Sequence, residues 1–166
     1  YRYVGVNSYS ERSEVDTEED EERETEAVDV DSLVSTLEEE IDDEVVLDGH
    51  LSHHFPADLT VVLRCGPDEL EERLEEKGWN EGKIQENVEA EVLDLILQEA
   101  ARERERVAEI DTRVMEREEV VEIDTTGKEP EEVAETVSGL VDTGGIPEDF
   151  LPGHVYWDPE EYLDLP

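Results

Sequence analysis

The sequence has few of the residues that cross-link a chain or embed it in a membrane. Cys65 is the only cysteine, so no disulfide can form within the chain. No apolar run approaches the roughly 20 residues that a membrane-spanning helix needs, and no signal peptide opens the chain. We therefore predict a cytoplasmic protein that does not enter a membrane.

Positive charge is also scarce. The chain has 52 Asp and Glu against 13 Lys and Arg, a formal net charge of -39, and its only lysines are Lys77, Lys83 and Lys128. Repulsion among so many carboxylates is screened at molar salt, where the Debye length falls to about 3 Å, so the composition favours a halophilic protein over an acidic mesophilic one. An acidic surface repels phosphates, so no direct nucleic-acid binding is predicted, whereas a basic protein is a favourable partner.

The apolar residues lie in clusters, which predicts a folded domain with its acidic residues on the surface. Short apolar runs predict strands at 1–6, 45–48, 60–64 and 120–123, with 45–48 and 60–64 buried. Helical periodicity predicts helices over 32–40 (capped by Asp31), from Pro67 to Gly78, over 84–107 and after Pro130, and residues 7–28 are predicted to be a solvated loop or a mobile helical excursion. Strands separated by helices predict an α/β fold, in which a parallel sheet lies between two helical layers.

Ligands of a parallel sheet bind at the carboxyl ends of its strands. Asp48 follows an apolar strand, where a carboxylate can hold a magnesium ion or its waters, although many strands also end in an Asp that only forms a turn. His50 can orient water or contact a phosphate. With His53 and His54 it forms H-x-x-H-H, but no Cys or closely spaced carboxylate completes a zinc pattern. We predict no metal site there, and expect His53 and His54 to pack in a turn beside Phe55.

The remaining basic residues leave alternatives open. Lys77 at a helix end can contact phosphate, and it can equally complement the helix dipole without a ligand. Lys128 lies in a Thr-Thr-Gly-Lys turn after a strand, which favours ligand contact more. Arg64 and Arg73 are candidates for binding an anion, but ordinary pairing with Asp or Glu is the preferred interpretation.

The sequence contains no phosphate-binding loop of the form G-x-x-x-x-G-K-[ST]. The segment from Gly78 to Ile84 has three residues between its glycines where four are required, and Ile84 replaces the needed Ser or Thr. It also does not join a strand to a helix, so we reject it as a phosphate loop.

Four segments together resemble one family. They are Val-Val-Leu-Asp-Gly-His-Leu-Ser-His at 45–53, Val-Val-Leu-Arg-Cys at 61–65, Glu-Arg-Leu-Glu-Glu-Lys-Gly-Trp at 72–79 and Lys-Ile-Gln-Glu-Asn-Val-Glu-Ala-Glu at 83–91. Over roughly residues 45–141 the chain resembles the archaeal and nuclear adenylate kinase-type family, the family of the coilin-interacting nuclear ATPase. The resemblance implies a P-loop NTPase-type, nucleoside monophosphate kinase-like domain over 1–142, without its first strand and P-loop. It also implies a monophosphate-binding region at 6–28, a lid at 76–86 and a C-terminal tail at 143–166.

The family transfers the γ-phosphoryl group of ATP to AMP with Mg²⁺, hydrolyses ATP more weakly, and assists small-subunit ribosome and rRNA maturation by binding a basic ribosomal protein. The resemblance implies the same activities here. It implies that Asp48 is the Walker B acid and His50 its companion in catalysis. It places Lys77 where the family usually has an ATP-contacting Arg, and Lys128 in the turn near the adenine. The match is poor around residues 7–10, where only Arg12 lies near the expected AMP site.

Two functions follow from this sequence. The first is a nucleoside monophosphate kinase, and the second is a non-catalytic ribosome-assembly binding protein that has lost its P-loop. A G-x-x-x-x-G-K-[ST] motif encoded upstream of Tyr1 would favour the kinase, and a start codon there would favour the binding protein. Without such a loop, the 166 residues alone are expected to bind ATP negligibly.

Overall fold

The structure is a computed structural model that describes residues 1–10, 17–20, 25–41, 44–110 and 119–163. The chain divides into two compact units, residues 1–56 and 57–166, which we name the N-terminal and C-terminal units. No helix in the described ranges is both long enough and apolar enough to cross a membrane.

The N-terminal unit pairs two parallel strands. Its elements are β1 (Arg2–Gly5), α1 (Val6–Ser10), β2 (Thr17–Asp20), β3 (Thr25–Val28), α2 (Val30–Glu40), β4 (Val45–Asp48) and a 3-10 turn (Ser52–His54). β1 pairs with β4 in a register that runs from Arg2 opposite Val45 to Gly5 opposite Asp48. β2 and β3 form an antiparallel pair, so the loop or helical excursion predicted over 7–28 is wrong for these strands. The helix α1 agrees with the second of those two alternatives.

A small core holds this unit together. Its buried members are Val4, Val6, Leu33, Leu37 and Phe55. The helix α2 contributes through its i, i+4 spacing, as the periodicity predicted. Its N-cap is Asp29, whose side chain accepts a hydrogen bond from the Ser32 N–H, so the predicted cap at Asp31 is wrong.

Only one face of β4 is covered within the described residues. Leu47 packs against the core, but Val46 on the opposite face is 50 % exposed. Successive side chains of a strand point to opposite faces, so the two positions have different surroundings. The prediction of a buried strand is therefore wrong for one of the two faces.

The C-terminal unit is layered. Its elements are β5 (Leu59–Arg64), α3 (Pro67–Glu76), α4 (Glu81–Val92), α5 (Leu95–Ile110), β6 (Glu119–Asp124), α6 (Pro130–Thr143), a 3-10 turn (Glu148–Phe150) and α7 (Pro159–Tyr162). β5 and β6 are parallel, with Leu59 opposite Glu119 and Arg64 opposite Asp124. Val62 and Val120 pack with Leu97 and Ala100 of α5 on one face.

The other face of this strand pair packs against α6. Val121 and Ile123 of β6 form a second core cluster with Leu140. Helices thus pack on both faces of parallel strands, and the predicted α/β class is confirmed. Leu63 of β5 is 54 % exposed, so the buried strand predicted at 60–64 is wrong at this position.

The long helix predicted over 84–107 is wrong in one respect, since it breaks between α4 and α5. Asp94 at the break has a φ of 55°, in the left-handed region that ordinary helical residues avoid. Its carboxylate accepts a hydrogen bond from the Arg64 guanidinium. This contact spans 30 positions of sequence, so a local apolar periodicity contains no sign of it.

Candidate functional site

The carboxyl end of β4 presents an exposed acid. Four consecutive register pairs with β1 fix the backbone up to Asp48, which lies opposite Gly5. Tyr3 of β1 donates its hydroxyl proton to Asp48 Oδ2 at 2.7 Å. That hydrogen bond and the negative charge of Asp48 raise the pKa of the Tyr3 phenol. The carboxylate therefore has a fixed orientation, although it lies on the surface.

Gly49 makes the turn after Asp48 possible. Its φ is 148°, and a Cβ at this position would lie 2.6 Å from Oδ1 of Asn7 and 3.3 Å from Cβ of Val6. Real Cβ atoms are not found at 2.6 Å, so any other residue would move the Asn7 side chain, and its backbone would be strained at this φ. The glycine is thus needed to place the Asp48 carboxylate beside α1.

His50 follows in the same turn and is exposed. The Ser52 N–H donates to the Gly49 carbonyl at 3.0 Å and closes the turn. His53 and His54 lie in the 3-10 turn with ring centroids 4.0 Å apart, next to the buried Phe55. The packing predicted for these two histidines is confirmed.

Lys77 lies at the end of α3, where a tight turn begins. It is the C-cap residue, its side chain is exposed, and Gly78 follows with a φ of 76°. The next helix starts at once, because Asn80 caps α4 by accepting a hydrogen bond from the Lys83 N–H at 2.9 Å. The Lys83 ammonium lies 3.9 Å from the ring centroid of Trp79. Two of the three lysines thus lie within the predicted lid, 76–86.

Lys128 lies in the turn between β6 and α6. Its ammonium donates to the backbone carbonyl of Asp124, and the Gly127 N–H donates to Glu69 Oε2 at 2.7 Å. An open cleft beside this turn is lined mainly by acidic side chains of α3. Its lining is Asp68, Glu69, Glu72, Arg73, Glu76 and Gly127. The carboxylates of this lining would repel a phosphate. Lys128 does not line the cleft, and its contact with the Asp124 carbonyl joins the turn to the end of β6.

Both arginine candidates form ion pairs within the protein. Arg64 is 1 % exposed and pairs with Glu91, Asp94 and Glu122. Arg73 pairs with Glu69 one helical turn earlier and reaches the Thr125 carbonyl at 3.4 Å. Pairing with carboxylates, the interpretation preferred from the sequence, is confirmed for both.

The predicted site residues thus fall into two groups. Asp48 and His50 come together in the N-terminal unit, while Lys77 and Lys128 belong to the C-terminal unit. Sequence reasoning missed Tyr3 as a partner of Asp48. The parallel alignment of two short apolar runs was the only available signal for that contact, and it gives no register.

The parallel strand pairs and the helices that pack on them define an α/β fold, a class that is consistent with a nucleoside monophosphate kinase-like domain. Within that class the chain belongs to the family described as AAA domain, whose model matches residues 2–94, more than half of the chain.

Curated proteins similar to this chain show that the family is adenylate kinase-like. A protein of Pyrococcus abyssi named "Putative adenylate kinase" is 48 % identical over 113 residues, which are 68 % of this chain and 61 % of the relative. One of Pyrococcus furiosus with the same name is 55 % identical over 86 residues, 51 % of this chain and 48 % of the relative. A third, of Natronomonas pharaonis, is 43 % identical over 111 residues, 66 % of this chain and 65 % of the relative. The chain spans between about half and two thirds of each of these three proteins.

Proposed function

We propose that the protein is a nucleoside monophosphate kinase of the adenylate kinase type, which converts ATP and AMP to two ADP and hydrolyses ATP more slowly. The observation that carries the proposal is Asp48, an oriented carboxylate at the carboxyl end of a parallel strand in an adenylate kinase-like chain. The names of the similar proteins support the same activity.

The residues of the β4 end fit a magnesium nucleotide. Asp48 offers carboxylate oxygen, the ligand type that Mg²⁺ and its waters prefer, and the hydrogen bond from Tyr3 fixes its direction. When bound, magnesium neutralises phosphate charge during transfer. His50 is two residues away and supplies a donor for a phosphate oxygen or a water.

The lid segment supplies positive charge. In this proposal Lys77 contacts the transferred phosphoryl group, as an ammonium rather than the planar fork of an Arg. Lys128 contributes to the adenine side through the β6–α6 turn. We keep the division into a kinase-like domain over 1–142 and a tail over 143–166 as part of the proposal, together with a halophilic, cytoplasmic setting.

The test is phosphoryl transfer by the full product of the reading frame that contains these residues. Phosphorus NMR of ATP, AMP and ADP with Mg²⁺ should show conversion to ADP, and Asp48→Asn should slow it about 100-fold. Glu44→Gln is the matched control, because it removes an exposed acid at the other end of β4. Equal rates for Asp48→Asn and the unmodified protein would contradict the assignment.

A second candidate function is binding to a basic small-subunit ribosomal protein during ribosome assembly. The net charge of -39 favours it, because such a surface attracts a basic partner. Titration with a basic ribosomal protein should give binding that weakens with salt and is unchanged in Asp48→Asn. Binding lost in Asp48→Asn would tie the interaction to the nucleotide site instead.

A further inference from the structure

The strand β6 carries a charged residue in its interior. Glu122 lies between Val121 and Ile123 in the sequence, and it is only 1 % exposed. A buried carboxylate needs a positive partner and several donors, since losing its water otherwise costs several kcal/mol. Arg64 provides the charge, through a hydrogen bond of 2.9 Å from its Nη1 to Glu122 Oε2.

Arg64 has more acidic partners than one. Its Nε donates to Glu91 Oε1 at 2.7 Å, and its Nη2 donates to the Glu91 carbonyl at 3.1 Å and to the Asp94 carboxylate. Burial lowers the pKa of Arg64, but the charges of Glu91 and Asp94 more than offset this, so the pKa is raised. Three carboxylates around one guanidinium have more acceptor sites than Arg64 can fill.

The missing donors come from the C-terminal segment, residues 144–163. The backbone N–H groups of His154 and Val155 donate to Glu122 Oε1 at 2.6 and 2.9 Å. The indole N–H of Trp157 donates to Glu91 Oε1 at 2.9 Å. The same segment ends in α7, which contacts α4. All three donors are neutral, so they satisfy the carboxylates without changing the charge balance.

These contacts connect the segment to one helix in particular. Glu91 lies in the last turn of α4, whose first turn contains Lys83 and follows the Asn80 cap. One oxygen of Glu91 accepts hydrogen bonds from Arg64 Nε, from the Cys65 backbone N–H at 3.3 Å and from Trp157 Nε1. The residues at the end of β5 and the C-terminal segment thus hold the Glu91 side chain from two sides. The helix α4 is thereby tied at its carboxyl end, while its amino end belongs to the predicted lid.

We propose that residues 144–163 are a strap that fixes the carboxyl end of α4 through Glu91, with Trp157 and Glu91 as positioning residues for the lid at 76–86. The link to the lid rests on the proposed function, whereas the strap itself does not. While the strap is in place, α4 keeps one orientation relative to β5, and movement is confined to the turn at 77–80. Releasing Trp157 removes the donor to Glu91 that the strap supplies and leaves Arg64 and the Cys65 N–H, so the carboxyl end of α4 is held less firmly.

Hydrogen exchange in the full chain tests the strap without any nucleotide. Trp157→Phe removes the N–H donor and keeps an aromatic ring, and it should speed amide exchange in 77–92 about tenfold, since hydrogen bonds to charged groups are the stronger ones. Exchange in α6, 130–143, should stay the same. Tyr156→Phe is the matched control, because it removes one hydroxyl from the neighbouring residue, which is 69 % exposed.

Glu91→Gln provides a second variant, which removes the charge and replaces one acceptor oxygen with an N–H donor group, and it should loosen the same residues. Unchanged exchange in α4 for both variants would overturn the strap. Amide exchange that becomes faster by the same factor in α4 and α6, together with a matching loss of stability to urea, would also overturn the strap. That pattern indicates a purely structural role. Trp157→Phe could also speed exchange in α4 and leave nucleotide affinity unchanged. That result would support the strap and contradict its link to the lid.

Discussion

The two parallel strand pairs end in polar residues of opposite character. At the end of β4, Asp48 is exposed and Tyr3 orients it with one hydrogen bond. At the end of β5, Arg64 is 1 % exposed and bonds three carboxylates and a backbone carbonyl. The sequence made both residues candidates for ligand binding, because each ends an apolar strand, but pairing with Asp or Glu was the preferred interpretation of Arg64.

Solvent access separates a residue that binds a ligand from one that supports the fold. A ligand needs an oriented group that can still gain a partner, as Asp48 can in its exposed position. Arg64 has no such freedom, since its burial and its partners commit it to the structure. The comparison predicts that substitution at β5 mainly costs stability, and that substitution at β4 mainly costs function.

The largest expected effect is at Arg64. Arg64→Met keeps most of the side-chain volume but leaves Glu91, Asp94 and Glu122 without a positive partner, which should lower the free energy of unfolding by about 3–5 kcal/mol. Urea unfolding followed by tryptophan fluorescence measures this, because Trp79 and Trp157 both belong to the C-terminal unit.

Arg73→Met is the control for that experiment. The Arg73 side chain is 41 % exposed and pairs with Glu69 at i, i+4, so its loss should change the free energy by less than about 1 kcal/mol. If the two variants lose similar free energy of unfolding, burial does not distinguish the two arginines, and the comparison is wrong.

A smaller loss of stability is expected at the β4 end, from Gly49→Ala. The left-handed φ and the contact of 2.6 Å with Asn7 should cost about 1–3 kcal/mol. Circular dichroism during urea unfolding measures it, and the double variant with Asn7→Ala should recover part of the loss.

Gly139→Ala serves as the reference glycine. No atom lies within 4 Å of the position where its Cβ would be, and it lies inside α6, so alanine should stabilise by about 0.5–1 kcal/mol. If Gly49→Ala and Gly139→Ala change the free energy of unfolding by the same amount, the turn after Asp48 does not depend on glycine.

The smallest effect is electrostatic and concerns Tyr3. Its pKa is raised above 10.0 by the hydrogen bond to Asp48 and by that residue's charge, so Asp48→Asn should lower it. The stability that this hydrogen bond contributes is complete below pH 10.0 and is lost as the pH rises through the raised pKa. Absorbance at the phenolate band measures the titration, with Tyr3→Phe as the blank. A Tyr3 pKa that is the same in Asp48→Asn would show that Asp48 does not hold the phenol.

Local signals predicted the elements that local chemistry determines. Apolar runs marked β4, β5 and β6, and Pro67 and Gly78 marked the two ends of α3. Asp48 was found for the same reason, because a strand followed by an acid is a local pattern. What these signals lacked was the register, so Tyr3 was missed.

The elements that were missed depend on distant partners. The break at Asp94 depends on Arg64, 30 positions away, and the donors for Glu122 come from residues 32 and 33 positions later. The one local sign was a Glu between Val121 and Ile123, which indicates a buried partner without identifying it. The pair β2–β3 was missed because its sequence is too acidic to show an apolar alternation.

Asp94 also restricts how this chain can change during evolution. Its backbone, with a φ of 55°, tolerates glycine, asparagine and aspartate best, whereas its bond to Arg64 requires a carboxylate. Glutamate would keep the charge and strain the backbone, and glycine would relax the backbone and lose the charge. Aspartate alone meets both requirements, so a saturation library at this position should retain it above every other residue, with asparagine next.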